Sequence, residues 1–133
     1  CKKDIILTGR LSDKDLNTWL SGAIALTYIP YFEGFGIPLI EAMKCETPIL
    51  TSNITSLPEV GAEAAIYVDP YSIPEITKGM IRIAEEPDLR AILIKKGKIL
   101  ILKPSHLDNL RSTTCAITEA STGRMLRSIP ALI

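Results

Sequence analysis

The chain has 133 residues, 47% of them hydrophobic, which is enough for one domain with its own core. Its 15 basic and 15 acidic residues cancel, so the charge balance gives no nucleic-acid footprint, and no apolar run is long enough to span a bilayer. Cys1, Cys45 and Cys115 are odd in number and widely spaced; they form neither a metal-ligand pattern nor a disulfide framework, which suits a reducing compartment.

The opening Lys2-Lys3-Asp4 lacks a secretory pattern and runs straight into Ile5-Ile6-Leu7, which reads as a strand over residues 5–8. Ser12-Asp13-Lys14-Asp15 reads as a capping box, and Leu16, Trp19 and Leu20 form the apolar stripe of a short helix that Gly22 stops. Trp19 shares that stripe and is expected in the core. Residues 23–29 are almost wholly apolar, the mark of a parallel strand buried on both faces, and we expect this strand at the centre of the sheet. A helix is expected over residues 37–46, with Pro38 in its first turn and Pro48 closing it. Residues 48–51 and 64–68 read as further strands, with a short helical turn at Ser56-Leu57-Pro58-Glu59-Val60 between them that ends at Gly61. Ser72-Ile73-Pro74-Glu75 opens a helix with Ile73, Ile76, Met80 and Ile83 at helical spacing; Pro87 breaks it, and Asp88 starts another helix carrying Leu89, Ile92 and Leu93. Lys95, Lys96 and Lys98 read as a solvated face. Strands alternating with helices imply βαβ units and a parallel sheet. From Pro104 onward the sequence is rich in Ser and Thr without a clear period, and His106 reads as a surface residue.

The chemistry concentrates in Glu33-Gly34-Phe35-Gly36-Ile37-Pro38-Leu39-Ile40-Glu41, at the junction of an apolar strand and a helix. Its glycines let the backbone approach a ligand, and the free N–H groups of a helix start favour an anion such as a phosphate. Carboxylates beside a phosphate repel it, so Glu33 and Glu41 need a separate account. They fit a ligand that also offers hydroxyls, because an ionised carboxylate accepts strong hydrogen bonds. A nucleoside diphosphate carrying a sugar has both kinds of group. The alternative is that acidic residues simply favour helix N-termini through the macrodipole.

This block, continued by Ala42-Met43-Lys44-Cys45-Glu46-Thr47-Pro48-Ile49-Leu50-Thr51-Ser52, resembles the E-x(7)-E signature of retaining nucleotide-sugar glycosyltransferases of the group 1 or family 4 class, which have the GT-B fold. The likeness extends through Ser56-Leu57-Pro58-Glu59-Val60 and Ala64-Ala65-Ile66-Tyr67-Val68-Asp69-Pro70. Upstream it includes Ile5-Ile6-Leu7-Thr8-Gly9-Arg10-Leu11-Ser12-Asp13, and it covers roughly residues 4–98.

The resemblance implies an α/β fold: a truncated Rossmann-like C-terminal domain of a GT-B fold, with a parallel sheet and flanking helices. Residues 1–103 would be a partial donor-binding domain and residues 104–133 a divergent or poorly ordered tail. The N-terminal acceptor domain of the parent, and the Arg/Lys pair the family sets against the diphosphate, would lie outside this chain; Arg10 does not replace that pair. By resemblance, Glu33 contacts hydroxyls of the donor sugar as the catalytic carboxylate, without being assigned as nucleophile, and Glu41 accepts from the ribose. Gly34, with the amides of Phe35, Gly36 and Ile37, faces sugar or phosphate oxygens, and the loop around Leu11 meets the nucleobase edge. No cofactor and no metal are expected. The partners would be a nucleotide-sugar donor and a sugar, lipid-linked or polysaccharide acceptor. Location would be cytoplasmic, with peripheral membrane association of the parent left open. The competing readings are a GT-B nucleotide-sugar epimerase and a non-catalytic donor-binding or interaction module. The isolated chain is expected to be inactive, since half the cleft would lie outside it.

Overall fold

The structure, a computed structural model, describes residues 4–103. Five helices and three strands follow in the order α1 (Asp13–Gly22), β1 (Leu26–Tyr28), α2 (Ile37–Lys44), β2 (Ile49–Ser52), α3 (Leu57–Gly61), β3 (Ala65–Val68), α4 (Ile73–Glu85) and α5 (Pro87–Ile101). Local chemistry accounts for several boundaries. Ser12 accepts from the Asp15 amide at 3.2 Å and donates to its carboxylate at 2.6 Å, so two groups at the start of α1 are satisfied together. Ser72 caps α4 by accepting from the Glu75 amide at 3.4 Å. α2 has no side-chain cap; Gly36, at φ +79°, turns the chain into the helix and Pro38 follows in the first turn.

The three strands form a parallel sheet in the order β1-β2-β3, with Leu26 opposite Ile49, Ile49 opposite Ala65, and Tyr28 opposite Thr51. Helices cover both faces. On one face Leu26 and Ile49 pack with Leu39, Ala42 and Met43 of α2 and with Leu57 and Val60 of α3. On the other, Leu50 and Val68 pack with Ile83 of α4 and Leu93 of α5. Gly79 explains how close α4 comes to the sheet, since a Cβ there would lie 2.7 Å from Leu50 Cδ1 and 3.1 Å from Val68 Cγ1. Farther along, α5 changes partners: Leu100 and Ile101 join the first cluster, and a Cβ at Gly97 would lie 3.2 Å from Met43 Cγ.

Several expectations need correction. Residues 5–8 are not a strand: they pair with nothing in the sheet, and Leu7 is 85% exposed. An apolar run becomes a strand only where a neighbour satisfies its backbone, and β1 has a neighbour on one side alone among the described residues. β1 is therefore an edge strand of three residues, and the centre belongs to β2, whose four residues are all buried. Nor is β1 buried on both faces along its length: Leu26 alone of its residues is fully buried, Thr27 and Tyr28 are half-buried, and Ile24 just before it is 63% exposed. Trp19 is 41% exposed because α1 turns Leu16 and Leu20 inward, leaving the ring at the margin of the stripe. In α4 the buried line runs through Ile76, Gly79 and Ile83, centred on the glycine contact, so Ile73 and Met80 face solvent. Ile92 is likewise exposed, while Leu89 and Leu93 are turned inward. α2 ends at Lys44 rather than at residue 46, with Glu46 at φ +59°. Lys96 and Lys98 do lie at the surface, paired with Glu63 at 3.0 Å and Glu46 at 2.8 Å. His106, Cys115 and the proposed tail lie outside the described residues.

Candidate functional site

The signature block sits where β1 leaves the sheet at its carboxyl end, the side on which open parallel α/β sheets bind ligands. Residues of the β2–α3 connection hold it in place. At the end of β2 the Ser52 hydroxyl donates to the Pro30 carbonyl at 2.8 Å, and Ser56 donates to the Glu33 carbonyl at 3.0 Å. Gly36 is required twice over: its φ of +79° is unfavourable for other residues, and a Cβ there would lie 3.1 Å from Leu57 Cδ2. A Cβ at Gly34 would meet nothing within 4 Å, so this glycine faces open space.

Glu33 is the best-anchored side chain of the block. Its Oε1 accepts from the Phe35 amide at 3.3 Å and from the Gly36 amide at 3.2 Å, and its Oε2 accepts from the Tyr28 hydroxyl. Partial burial alone would raise the carboxyl. Hydrogen bonding from Tyr28 and from the amides of Gly36, Phe35 and Gly34 outweighs it and holds Glu33 below the usual glutamate value. Burial, together with the hydrogen bond to Glu33 and its charge, pushes the Tyr28 phenol well above its ordinary range. Glu33 therefore stays ionised at neutral pH. Its contribution to stability is present above the unfolded glutamate value and is lost as pH falls through the lowered folded value.

The amides of Phe35 and Gly36 donate to the carboxylate of Glu33; the Ile37 amide, first of α2, has no partner among the described residues. Short loops that must bury a carboxylate satisfy it with the nearest free N–H groups, and here those groups belong to the same turn.

Glu41 lies one helical turn beyond Ile37 on α2 and is half-buried. Burial, helped by the nearby charge of Asp13 and opposed by Lys44, raises its carboxyl, the opposite direction from Glu33. Ionising Glu41 thus works against the fold, and its effect on stability with pH runs counter to that of Glu33. Asp13 opens α1, so the start of that helix lies within electrostatic reach of Glu41. Leu11, half-buried, stands two residues before it. Tyr28 was not singled out by sequence for a role in this site; Ser52, Ser56 and Asp13 were connected with it only within the stretches that carry the family likeness.

A groove lined by Thr18, Trp19, Gly22, Ala23, Ile24 and Ala25 lies at the amino end of β1, away from the signature turn. None of these six residues is ionisable, so they hold no carboxylate or cation for a diphosphate or a developing charge. Among the described residues no three His, Cys, Asp or Glu side chains gather into a metal-binding group, and no helix is long and apolar enough to cross a membrane.

Helices on both faces of a parallel sheet, with a glycine-started helix at the carboxyl end of a strand, define a Rossmann-like α/β unit consistent with the C-terminal part of a GT-B enzyme. Residues 1–99 match the family described as Glycosyl transferases group 1, and the chain belongs to that family. It is 35% identical over 89 residues to O-antigen chain mannosyltransferase B of Escherichia coli, covering 67% of this chain and 23% of that protein. It is 30% identical over 126 residues to the MMP alpha-(1->4)-mannosyltransferase of Mycolicibacterium hassiacum, covering 92% of this chain and 31% of the relative. O-antigen chain mannosyltransferase RfbU of Salmonella typhimurium is 36% identical over 87 residues, 65% of this chain and 25% of its own length. The chain thus spans between about a quarter and a third of these three relatives.

Proposed function

We propose that the chain forms the donor side of a retaining glycosyltransferase that moves a sugar, with mannose the first candidate, from a nucleoside diphosphate to a hydroxyl of a glycan acceptor. The observation that carries this is the ionised, held carboxylate of Glu33 at the carboxyl end of β1, with Glu41 on the helix that follows. The mannose assignment draws on the three mannosyltransferase relatives. In the reaction the bond from the sugar C1 to the phosphate oxygen breaks and a bond from C1 to the acceptor oxygen forms. The diphosphate leaves with the electron pair, and the acceptor proton passes to its departing oxygen or to solvent. Glu33 accepts a hydrogen bond from a sugar hydroxyl and opposes the positive charge that develops at the ring, an electrostatic role that needs a carboxylate fixed beforehand. Glu41 accepts from the ribose, the Ile37 amide faces a sugar or phosphate oxygen, and the loop at Leu11 borders the base. The amides of Phe35 and Gly36 act through Glu33 rather than on the ligand.

The chain's share of its relatives' length supports a larger enzyme in which the acceptor side and the cations that meet the diphosphate come from outside these residues. Such an enzyme would work in the cytoplasm, with peripheral contact to a membrane where its acceptor is lipid-linked. The test is to incubate the intact enzyme with GDP-mannose or UDP-glucose, with and without a mannosyl acceptor, and to follow nucleotide release and the anomeric configuration of the product. Acceptor-dependent release with the donor's configuration kept is the expected result, and the 133-residue chain alone should transfer nothing. Conversion of the donor to its epimer without acceptor would establish an epimerase instead.

A further inference from the structure

We propose that Tyr28 is a positioning residue of the transfer reaction, one that fixes Glu33 so that a single acceptor position on its carboxylate faces the donor sugar. This deepens the donor-site reading above and rests on it. A carboxylate offers about four lone-pair positions, two on each oxygen. The amides of Phe35 and Gly36 occupy both positions on Oε1, and the Tyr28 hydroxyl occupies one on Oε2. The Gly34 amide also draws on the carboxylate but forms no hydrogen bond of ordinary geometry with it, so at most one position remains, on the oxygen that Tyr28 orients. Glu33 can therefore accept from one sugar hydroxyl without breaking a bond it already has, and the phenol determines which way that lone pair points.

The backbone explains why a residue five positions upstream can do this. Tyr28 closes β1 and packs its ring against the core cluster under α2, so the ring is held while its hydroxyl reaches the turn. The turn itself is tied to the end of β2 and to Ser56. Both partners of the hydrogen bond thus stand on supported backbone, the condition for a group that orients another within a fraction of an ångström. The charged side chains on neighbouring elements, Glu41 and Lys44 on α2 and Glu59 on α3, make no hydrogen bond or ion pair with Glu33 among the described residues. Tyr28 is the side chain that acts on it directly.

The variant is Tyr28→Phe, which keeps the ring in the core and removes only the donor. In the intact enzyme, with GDP-mannose and a mannosyl acceptor, kcat should fall about tenfold or more, the scale of losing a hydrogen bond to a charged group. Donor KM should stay within about twofold, because a misdirected lone pair is felt most as charge develops. In the 133-residue chain, the pH titration of the Phe35 and Gly36 amide resonances reports the charge of Glu33, and its midpoint should move to higher pH in Tyr28→Phe. A purely structural tyrosine would lower stability and leave both the midpoint and the kcat-to-KM pattern unmoved, and that result overturns the proposal. Should Tyr28→Phe fail to fold, the wild-type titration still decides: a Glu33 midpoint at or above the ordinary glutamate value overturns the clamp. If Glu33→Gln is as active as wild type, the donor-site reading fails; if Glu33→Gln is impaired while Tyr28→Phe is not, the inference about Tyr28 fails alone.

Discussion

Leu50→Ala is expected to destabilise the fold by about 2–5 kcal/mol, the usual cost of emptying a fully buried leucine site. Leu50 is 0% exposed on the central strand, and it supports the close approach of α4 through Gly79 as well as the packing of Val68, Ile83 and Leu93. Those neighbours sit on strands and long helices that cannot collapse far into the space left behind, so the value should fall in the upper part of the range. Domains of this size have about 5–15 kcal/mol in total, so the loss is a large fraction of it. Urea unfolding should show a lower midpoint with an unchanged slope. Leu50 faces α4 and α5, away from Tyr28 and Glu33, so the titration of Glu33 in the remaining folded molecules should match wild type. A loss below about 1 kcal/mol would be inconsistent with Leu50 filling a closed site between the sheet, α4 and α5.

The two glutamates of the signature block should separate in kinetics. Glu33→Gln leaves one acceptor oxygen where the turn requires two: the new NH2 must face either the Tyr28 hydroxyl or the Phe35 and Gly36 amides, and the clamp opens. The intact enzyme should lose about a hundredfold in kcat, the scale of removing one preorganised electrostatic partner, with a smaller change in donor KM. Glu41→Gln keeps shape but removes charge from the proposed bond to ribose. It should weaken donor binding by about 1.5–3 kcal/mol, seen mainly in KM. Because burial and Asp13 already hold the Glu41 carboxyl up, neutralising it should not destabilise the fold. Glu46→Gln is the control. Glu46 is exposed and pairs with Lys98 at 2.8 Å, a surface contact worth about 0–1 kcal/mol, and its loss should change neither constant. Near-wild-type kinetics for both Glu33→Gln and Glu41→Gln would remove the donor site from this block.

What sequence made legible follows from what its patterns physically encode. Ser12 and Ser72 announced helix starts because capping is a local bargain between residues three apart, and both caps are formed. Gly36-Ile37-Pro38 marked the opening of α2 for the same reason. Residues 5–8 misled because apolar composition describes a strand's preferences and not its partner. The rank of β1 in the sheet was equally invisible, since order depends on neighbours distant in sequence. Trp19, Met80 and Ile92 sat at helical spacing yet fell outside the buried lines, which the small residues and the sheet's contour set more narrowly than a 3.6-residue period can show. At the site, the pair of glutamates was legible as an acid pattern. The turning of the Phe35 and Gly36 amides onto Glu33 was not, nor was the reach of Tyr28 across five residues. These depend on how a supported turn closes on itself. No spacing rule contains that information.

The proposed function requires that this turn, with Glu41, receive the donor. The most direct measurement is a titration of GDP-mannose, with UDP-glucose in parallel, into the isotope-labelled 133-residue chain, following backbone amide resonances. At least one donor should move the amides of Gly34, Phe35, Gly36, Ile37 and Glu41, with smaller changes in the loop at Leu11, and Glu41→Gln should weaken the response. Changes confined to the groove at Trp19 and Ile24, or a saturating interaction that leaves residues 33–41 untouched, would contradict the proposed function.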